Sequence, residues 1–200
     1  MKTVFFDIDT QIDFLYPAGA LYVPGAEAIV PAIARMNQHA GAAGIPLIST
    51  MDAHAEDDPE FRQWPPHCVV GTVGQQKPAC TLLEKRVVIP STKRKFSVDG
   101  AQQILIEKQM LDCFTNANLR DVLEQFAADR YVVYGVVTEY CVKCAALGLL
   151  AMGRTVEVVT DAIRTLNEAA GQQVLDEVIE RGGMLATVDR VIAGEDEVQV

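Results

Sequence analysis

The side chains most able to do covalent chemistry in this 200-residue chain are a few cysteines, histidines, acids and lysines. Cys141 lies in GVVTEYCV, Gly135 to Val142. Thr138 is placed to cap the helix that follows, which puts Cys141 in its first turn among free backbone N–H groups. A helix dipole and a nearby lysine, Lys93, would favour the thiolate. The amides of Val137 and Cys141 could hold a developing oxyanion. The same thiol could instead be a small buried hydrophobe on the core face of that helix, the usual fate of an intracellular cysteine, and Cys113 and Cys144 are read that way. Cys141-Val-Lys-Cys144 has the form of a redox pair, but a thioredoxin-like chain carries that motif beside its first strand, not after two thirds of its length.

A second group sits in the segment from Asp52 to Lys77. Asp52-Ala-His54 sets two potential metal ligands on one side of an extended chain, and Trp64-Pro-Pro-His67 can return a third. Asp, His and His with a face open to water suits zinc, iron or manganese, and Glu60 is near enough in sequence to add a fourth ligand. Both histidines could instead be solvated loop residues, the less favoured of the two readings. His39 is read as a surface residue of the first helix.

These side chains need a scaffold. Short β-branched runs recur at Thr3 to Ile8, Pro46 to Met51, Arg86 to Ile89, Arg130 to Val137, Thr155 to Thr160 and Met184 to Val188, which gives six strands. Helical patterns at Ala26 to Ala43, Leu119 to Ala128, Tyr140 to Met152 and Glu168 to Arg181 alternate with them. Apolar runs such as YVVYGVV suit strands covered on both faces. The expected fold is therefore α/β: a three-layer α/β/α sandwich, Rossmann-like and doubly wound, around a six-stranded, mainly parallel sheet. One domain over residues 1–200 is the expectation. Segments 52–77 and from Lys93 to about Asn118 break the alternation; the second holds a helical pattern near Gln102 to Lys108 and a turn at FTNAN. In such sheets ligands bind beyond the carboxyl ends of the strands. Asp9 closes the first strand, Asp52 the second, Lys93 follows the third and Cys141 the fourth, so all four should meet at one edge.

Composition narrows the class. Half the residues are apolar, enough for one large core. Seventeen basic against 27 acidic residues give a net charge of −10 with no basic block to follow a phosphate backbone, so nucleic acid is not an expected partner. No apolar run approaches the roughly 18 residues of a membrane span, and the N-terminus lacks a secretory pattern, so no membrane association and a cytoplasmic location are expected. Five cysteines, without repeated spacing, argue against a disulfide framework.

With these residues in view, the chain resembles the isochorismatase-like cysteine hydrolases, and among them the nicotinamidases and pyrazinamidases. DTQIDF, Asp9 to Phe14, resembles the first-strand motif, whose leading Asp is the catalytic proton acceptor. Lys93-Arg-Lys-Phe-Ser97 is similar to the lysine motif, with Lys93 at the matching position. GVVTEYCV resembles the nucleophile motif, including a cis peptide that would fall between Val136 and Val137. DAH followed by WPPHCVVGT is similar to the metal loop, implying Asp52, His54 and His67 as ligands, Glu60 as a further one, and zinc as the first choice of metal. Phe14 and Trp64 match the aromatic positions that sandwich the substrate ring.

The resemblance implies a metal-dependent amidohydrolase that converts nicotinamide or a similar small carboxamide to the acid and ammonia through a thioester on Cys141, with Asp9 and Lys93 completing the catalytic set. Two departures stand beside it: a longer segment between Lys93 and Leu119, and Thr-Glu-Tyr where Thr-Asp-aromatic is frequent. A homo-oligomer is compatible with the resemblance, although no residue pattern marks an interface. The competing readings are a family hydrolase of a vinyl ether or an N-carbamoyl amide, and a non-catalytic binding protein on the same fold.

Overall fold

The computed structural model describes residues 1–194. In chain order the regular elements are β1 (Thr3–Ile8), the single turn α1 (Ile12–Leu15), α2 (Val30–Ala43), β2 (Leu47–Asp52), β3 (Arg86–Ile89), β4 (Gln103–Lys108), α3 (Leu119–Phe126), β5 (Arg130–Val136), α4 (Lys143–Ala151), β6 (Thr155–Arg164), α5 (Glu168–Glu180), β7 (Met184–Ala186) and α6 (Val188–Ala193). The strands form one sheet in the order β3-β4-β2-β1-β5-β6-β7, every pair parallel.

Burial explains the helices. Val30, Ile33, Met36 and Ala40 repeat every three or four residues along α2, and with Val188 and Val191 of α6 they cover one face of the sheet. Leu119, Val122 and Leu123 of α3, Ala145, Ala146 and Leu149 of α4, and Val174 and Val178 of α5 cover the other. The result is the expected three-layer sandwich, with seven strands in place of six. The added strand is β4, over the segment that carried a helical pattern. Ile104, Leu105 and Ile106 are buried between β2 and β3, and a three-residue apolar run has no period that separates strand from helix. At the other end of the chain, the expected strand to Val188 stops at Ala186, because the Thr187 hydroxyl accepts the Arg190 N–H and starts α6.

Two features bear on the site. The chain leaves β1 toward β2 on one side and returns to β5 on the other, so the strand order reverses beside β1, where a crevice opens at the carboxyl ends. Gly135 in β5 has φ of +120°, and a Cβ there would lie 2.1 Å from the Ile8 carbonyl oxygen, so no larger residue fits between these strands. The peptide joining Val136 to Val137 is cis.

Beneath the crevice lies a buried ion pair. Lys77 Nζ stands 3.3 Å from Asp7 Oδ2 and donates to Thr10 Oγ1 at 2.9 Å; the Thr10 and Ser49 hydroxyls donate to the Asp7 carboxylate at 2.7 and 2.9 Å. The pair ties the end of the segment after β2 to β1. Lys77→Met would leave the Asp7 carboxylate buried without its cation. It should lower unfolding free energy by about 3–5 kcal/mol in urea titrations, and a loss below about 1 kcal/mol would contradict this anchoring role.

Candidate active site

Four adjacent strands, β4, β2, β1 and β5, deliver Lys108, Asp52, Asp9 and Cys141 to the carboxyl edge of the sheet. Asp52 and Lys108 are register partners. The Lys108 ammonium is 1% exposed and lies 2.5 Å from Asp52 Oδ1, 2.9 Å from Asp9 Oδ2 and 3.6 Å from Cys141 Sγ. Asp9 follows β1 with a left-handed φ of 48°, and the Thr50 hydroxyl donates to its Oδ1 at 2.7 Å. Asn116 donates to the Glu107 carbonyl at 2.7 Å and so holds the end of β4 from which Lys108 extends.

Lys93, expected in this place, is elsewhere. Its ammonium is solvent-exposed and bonds Asp121 at 2.6 Å and the Ala117 carbonyl at 3.1 Å. The reason is topological: β3, which Lys93 follows, is the outermost strand, and the chain beyond it is surface loop. The signal that points to Lys108 is QILIEK itself. Read as a fully buried strand, it ends on a lysine at the edge where the crevice must lie.

Burial dominates the electrostatics. It pushes the Cys141 thiol well above its ordinary range; Lys108 opposes that shift, while Asp9 and Asp52 reinforce it. The ease of ionisation expected for this sulfur is thus opposed by burial, which favours the neutral thiol. Burial also lifts the Asp52 carboxyl to about 6 against the pull of Lys108. Burial alone would lower the Lys108 ammonium, but Asp52, Asp9 and Cys141 together hold it well above the usual lysine range. Cys141 enters from a single π turn, Thr138–Val142, ahead of α4 and not from a regular first turn. Among the other cysteines, Cys113 is buried, and burial pushes its thiol up as a core residue's would be.

Beside this cluster Asp52, His54 and His67 each offer a ligand atom, all within 4.8 Å of one another. His54 Nε2 and His67 Nε2 stand 4.0 and 3.8 Å from Asp52 Oδ2. The backbone brings them together: His54 N–H donates to the Cys68 carbonyl and Val70 N–H to the His54 carbonyl, setting the two histidines side by side. Each ring is oriented through its far nitrogen, His54 Nδ1 on Asp58 Oδ2 at 3.0 Å and His67 Nδ1 on the Pro65 carbonyl at 2.8 Å. Donation of Nδ1–H to those oxygens leaves the Nε2 lone pairs directed at the centre. His54 Nε2 is buried and has no hydrogen-bond partner, and burial lowers the His67 pKa, keeping it neutral as a ligand must be. One carboxylate and two imidazoles fit a divalent transition metal. Glu60 lines the same pocket, its carboxyl raised by burial, but lies outside the mutually close triad.

The pocket above Cys141 is walled by Phe14, Trp64, Tyr140, Leu111 and Leu166, with Val136 and Val137 at its base. The two aromatic residues singled out from the sequence, Phe14 and Trp64, therefore face the same space as the thiol. Among the described residues lining it are Asp9, Asp52 and Glu60 and no arginine. No helix among the described residues is long and apolar enough to cross a membrane.

The orientation of His54 by Asp58 gives a direct test. Asp58→Ala should weaken Zn2+ binding by about 10- to 100-fold in competition with a chromophoric chelator. Unchanged affinity would contradict the assigned role of that carboxylate.

Comparison with known proteins agrees with this geometry. The chain is 25% identical to the nicotinamidase of Saccharomyces cerevisiae, over 84% of this chain and 90% of that protein. It is 26% identical to the nicotinamidase of Escherichia coli, over 80% and 82%. The structure superposes on the pyrazinamidase of Pyrococcus horikoshii in complex with zinc with a TM-score of 0.80, at 26% identity, covering 94% of this chain and 99% of that one. Residues 3–190 match the Isochorismatase domain, and the chain belongs to that family.

Proposed function

We propose that this protein hydrolyses the C–N bond of a small neutral carboxamide, nicotinamide or a close analogue, through a thioester on Cys141. The observation that carries the reading is the buried Lys108 ammonium held between Asp9, at 2.9 Å, and the Cys141 sulfur, at 3.6 Å, two residues that line a mostly apolar pocket.

Asp9 accepts the thiol proton as the sulfur attacks the carboxamide carbon. Lys108 pairs with the Asp9 carboxylate at 2.9 Å and faces the sulfur as its negative charge develops. The substrate oxygen is directed to the amides of Val137 and Cys141. Asp9 then returns its proton to the departing nitrogen, ammonia leaves, and Asp9 draws a proton from the water that opens the thioester. A divalent cation held by Asp52, His54 and His67 would supply an electrophilic docking point for a heteroatom of the substrate ring. Phe14 and Trp64 supply the walls for a flat ring. Among the described residues lining the pocket there is no arginine or lysine to pair with the carboxylate of a vinyl-ether acid or an N-carbamoyl acid, which favours a neutral substrate. One domain over the whole chain suffices for this chemistry, since all the groups named come from β1, β2, β4, β5 and their loops.

Cys141→Ala should abolish ammonia release from nicotinamide while leaving the far-UV circular dichroism spectrum and thermal midpoint close to wild type. Treatment of the wild type with a strong chelator should remove activity, and added Zn2+ or Mn2+ should restore it. Near-wild-type turnover by the alanine variant would overturn the nucleophile assignment, and full activity after verified metal removal would overturn the metal requirement.

A further inference from the structure

Asp9, Gln11 and Asp13 alternate along the segment that leaves β1, and each ends on a different part of the centre. Asp9 meets Lys108. Gln11 is fully buried. Its Nε2 donates to the Asp52 carbonyl at 2.8 Å and to the Gln75 carbonyl at 2.8 Å, and its Oε1 accepts the Asp52 N–H at 2.6 Å. One side-chain amide thus engages both backbone groups of a candidate ligand and closes the segment from Asp52 to Gln75 at its two ends. Asp13 Oδ2 accepts the Cys68 N–H at 2.7 Å and Oδ1 the Ala20 N–H at 2.9 Å. Cys68 directly follows His67 and has a left-handed φ of 46°, a conformation that an outside partner must hold. The loop packs hard against this carboxylate, since a Cβ on Gly74 would fall 2.1 Å from Asp13 Oδ2.

Neither Gln11 nor Asp13 lines the pocket, so neither can touch a substrate there. We propose that Gln11, supported by Asp13, is a positioning residue that presets the spacing of Asp52, His54 and His67 for a divalent cation. The segment that carries the proton acceptor thereby also builds the cation site. This inference rests on the metal reading of the triad. The chemistry requires an amide at position 11, because the site asks for two donors and one acceptor from a single side chain. A glutamate of the same shape would set a carboxylate oxygen against two carbonyl oxygens.

The test is Zn2+ binding by the full chain, measured in competition with a chromophoric chelator, with the thermal midpoint of the metal-free chain recorded alongside. Gln11→Glu should bind Zn2+ about 10- to 100-fold more weakly than wild type, and Asp52→Ala should lose more. Wild-type affinity in Gln11→Glu, whether or not its metal-free midpoint falls, combined with loss in Asp52→Ala would overturn the positioning role and leave the triad intact. Undiminished affinity in Asp52→Ala would overturn the metal reading and this inference with it. If Gln11→Glu does not accumulate as folded protein, Asp13→Asn carries the same test: about tenfold weaker binding supports the proposal, and wild-type affinity overturns it.

Discussion

The ammonium of Lys108 sits beneath the surface with two carboxylates and a thiol around it, and most of the site's behaviour follows from that placement. An isolated ammonium taken out of water would shed its proton. Here Asp52 at 2.5 Å and Asp9 at 2.9 Å hold the charge in place. The cation in turn offsets the repulsion between the two carboxylates and stands 3.6 Å from the Cys141 sulfur, where it would balance any negative charge formed there. Burial acts on the thiol in the opposite sense to the cation, pushing it well above its ordinary range, so this sulfur ionises less readily than an exposed cysteine's.

A parallel sheet is a good device for assembling such a cluster. Each strand end places one side chain within a few ångströms of its neighbour's, because adjacent strands lie roughly 5 Å apart. Four consecutive strands therefore supply acid, acid, cation and thiol with no long loop needed to bring them together. The candidate cation site, in contrast, joins Asp52 at the end of β2 to His54 and His67 on the loop that follows, and loops need external support to hold a geometry. That support comes from two directions: the buried Lys77–Asp7 pair anchors the segment's end, and Gln11 and Asp13 hold its backbone from the adjoining β1 exit.

The legibility of the sequence varies with the physical cause. The helical crossovers were readable because long apolar periodicities leave little choice, and β1 and β3 because β-branched or aromatic residues dominate each run. Asp9, Cys141 and the DAH segment were readable because each closes or follows such an element. Lys108 was not, because Ile104 to Ile106 is too short a run to show a period, and its polar flanks Gln103 and Glu107 suit a helix as well as a strand. Once β4 was lost, the nearest lysine after a recognised strand was Lys93. The apparently long segment between Lys93 and Leu119 was the trace of that displacement, since it contains β4. The buried amide of Gln11 was also hidden, because its partners are backbone groups 41 and 64 residues away.

The chemistry depends on which lysine faces the thiol. Single-turnover ammonia release from nicotinamide, measured for Lys108→Met and Lys93→Met under identical conditions with folding verified, decides it. The structure requires a fall of roughly 100-fold or more for the first and a rate within about twofold of wild type for the second. Comparable rates for Lys108→Met and wild type, or a collapse confined to Lys93→Met, would contradict it.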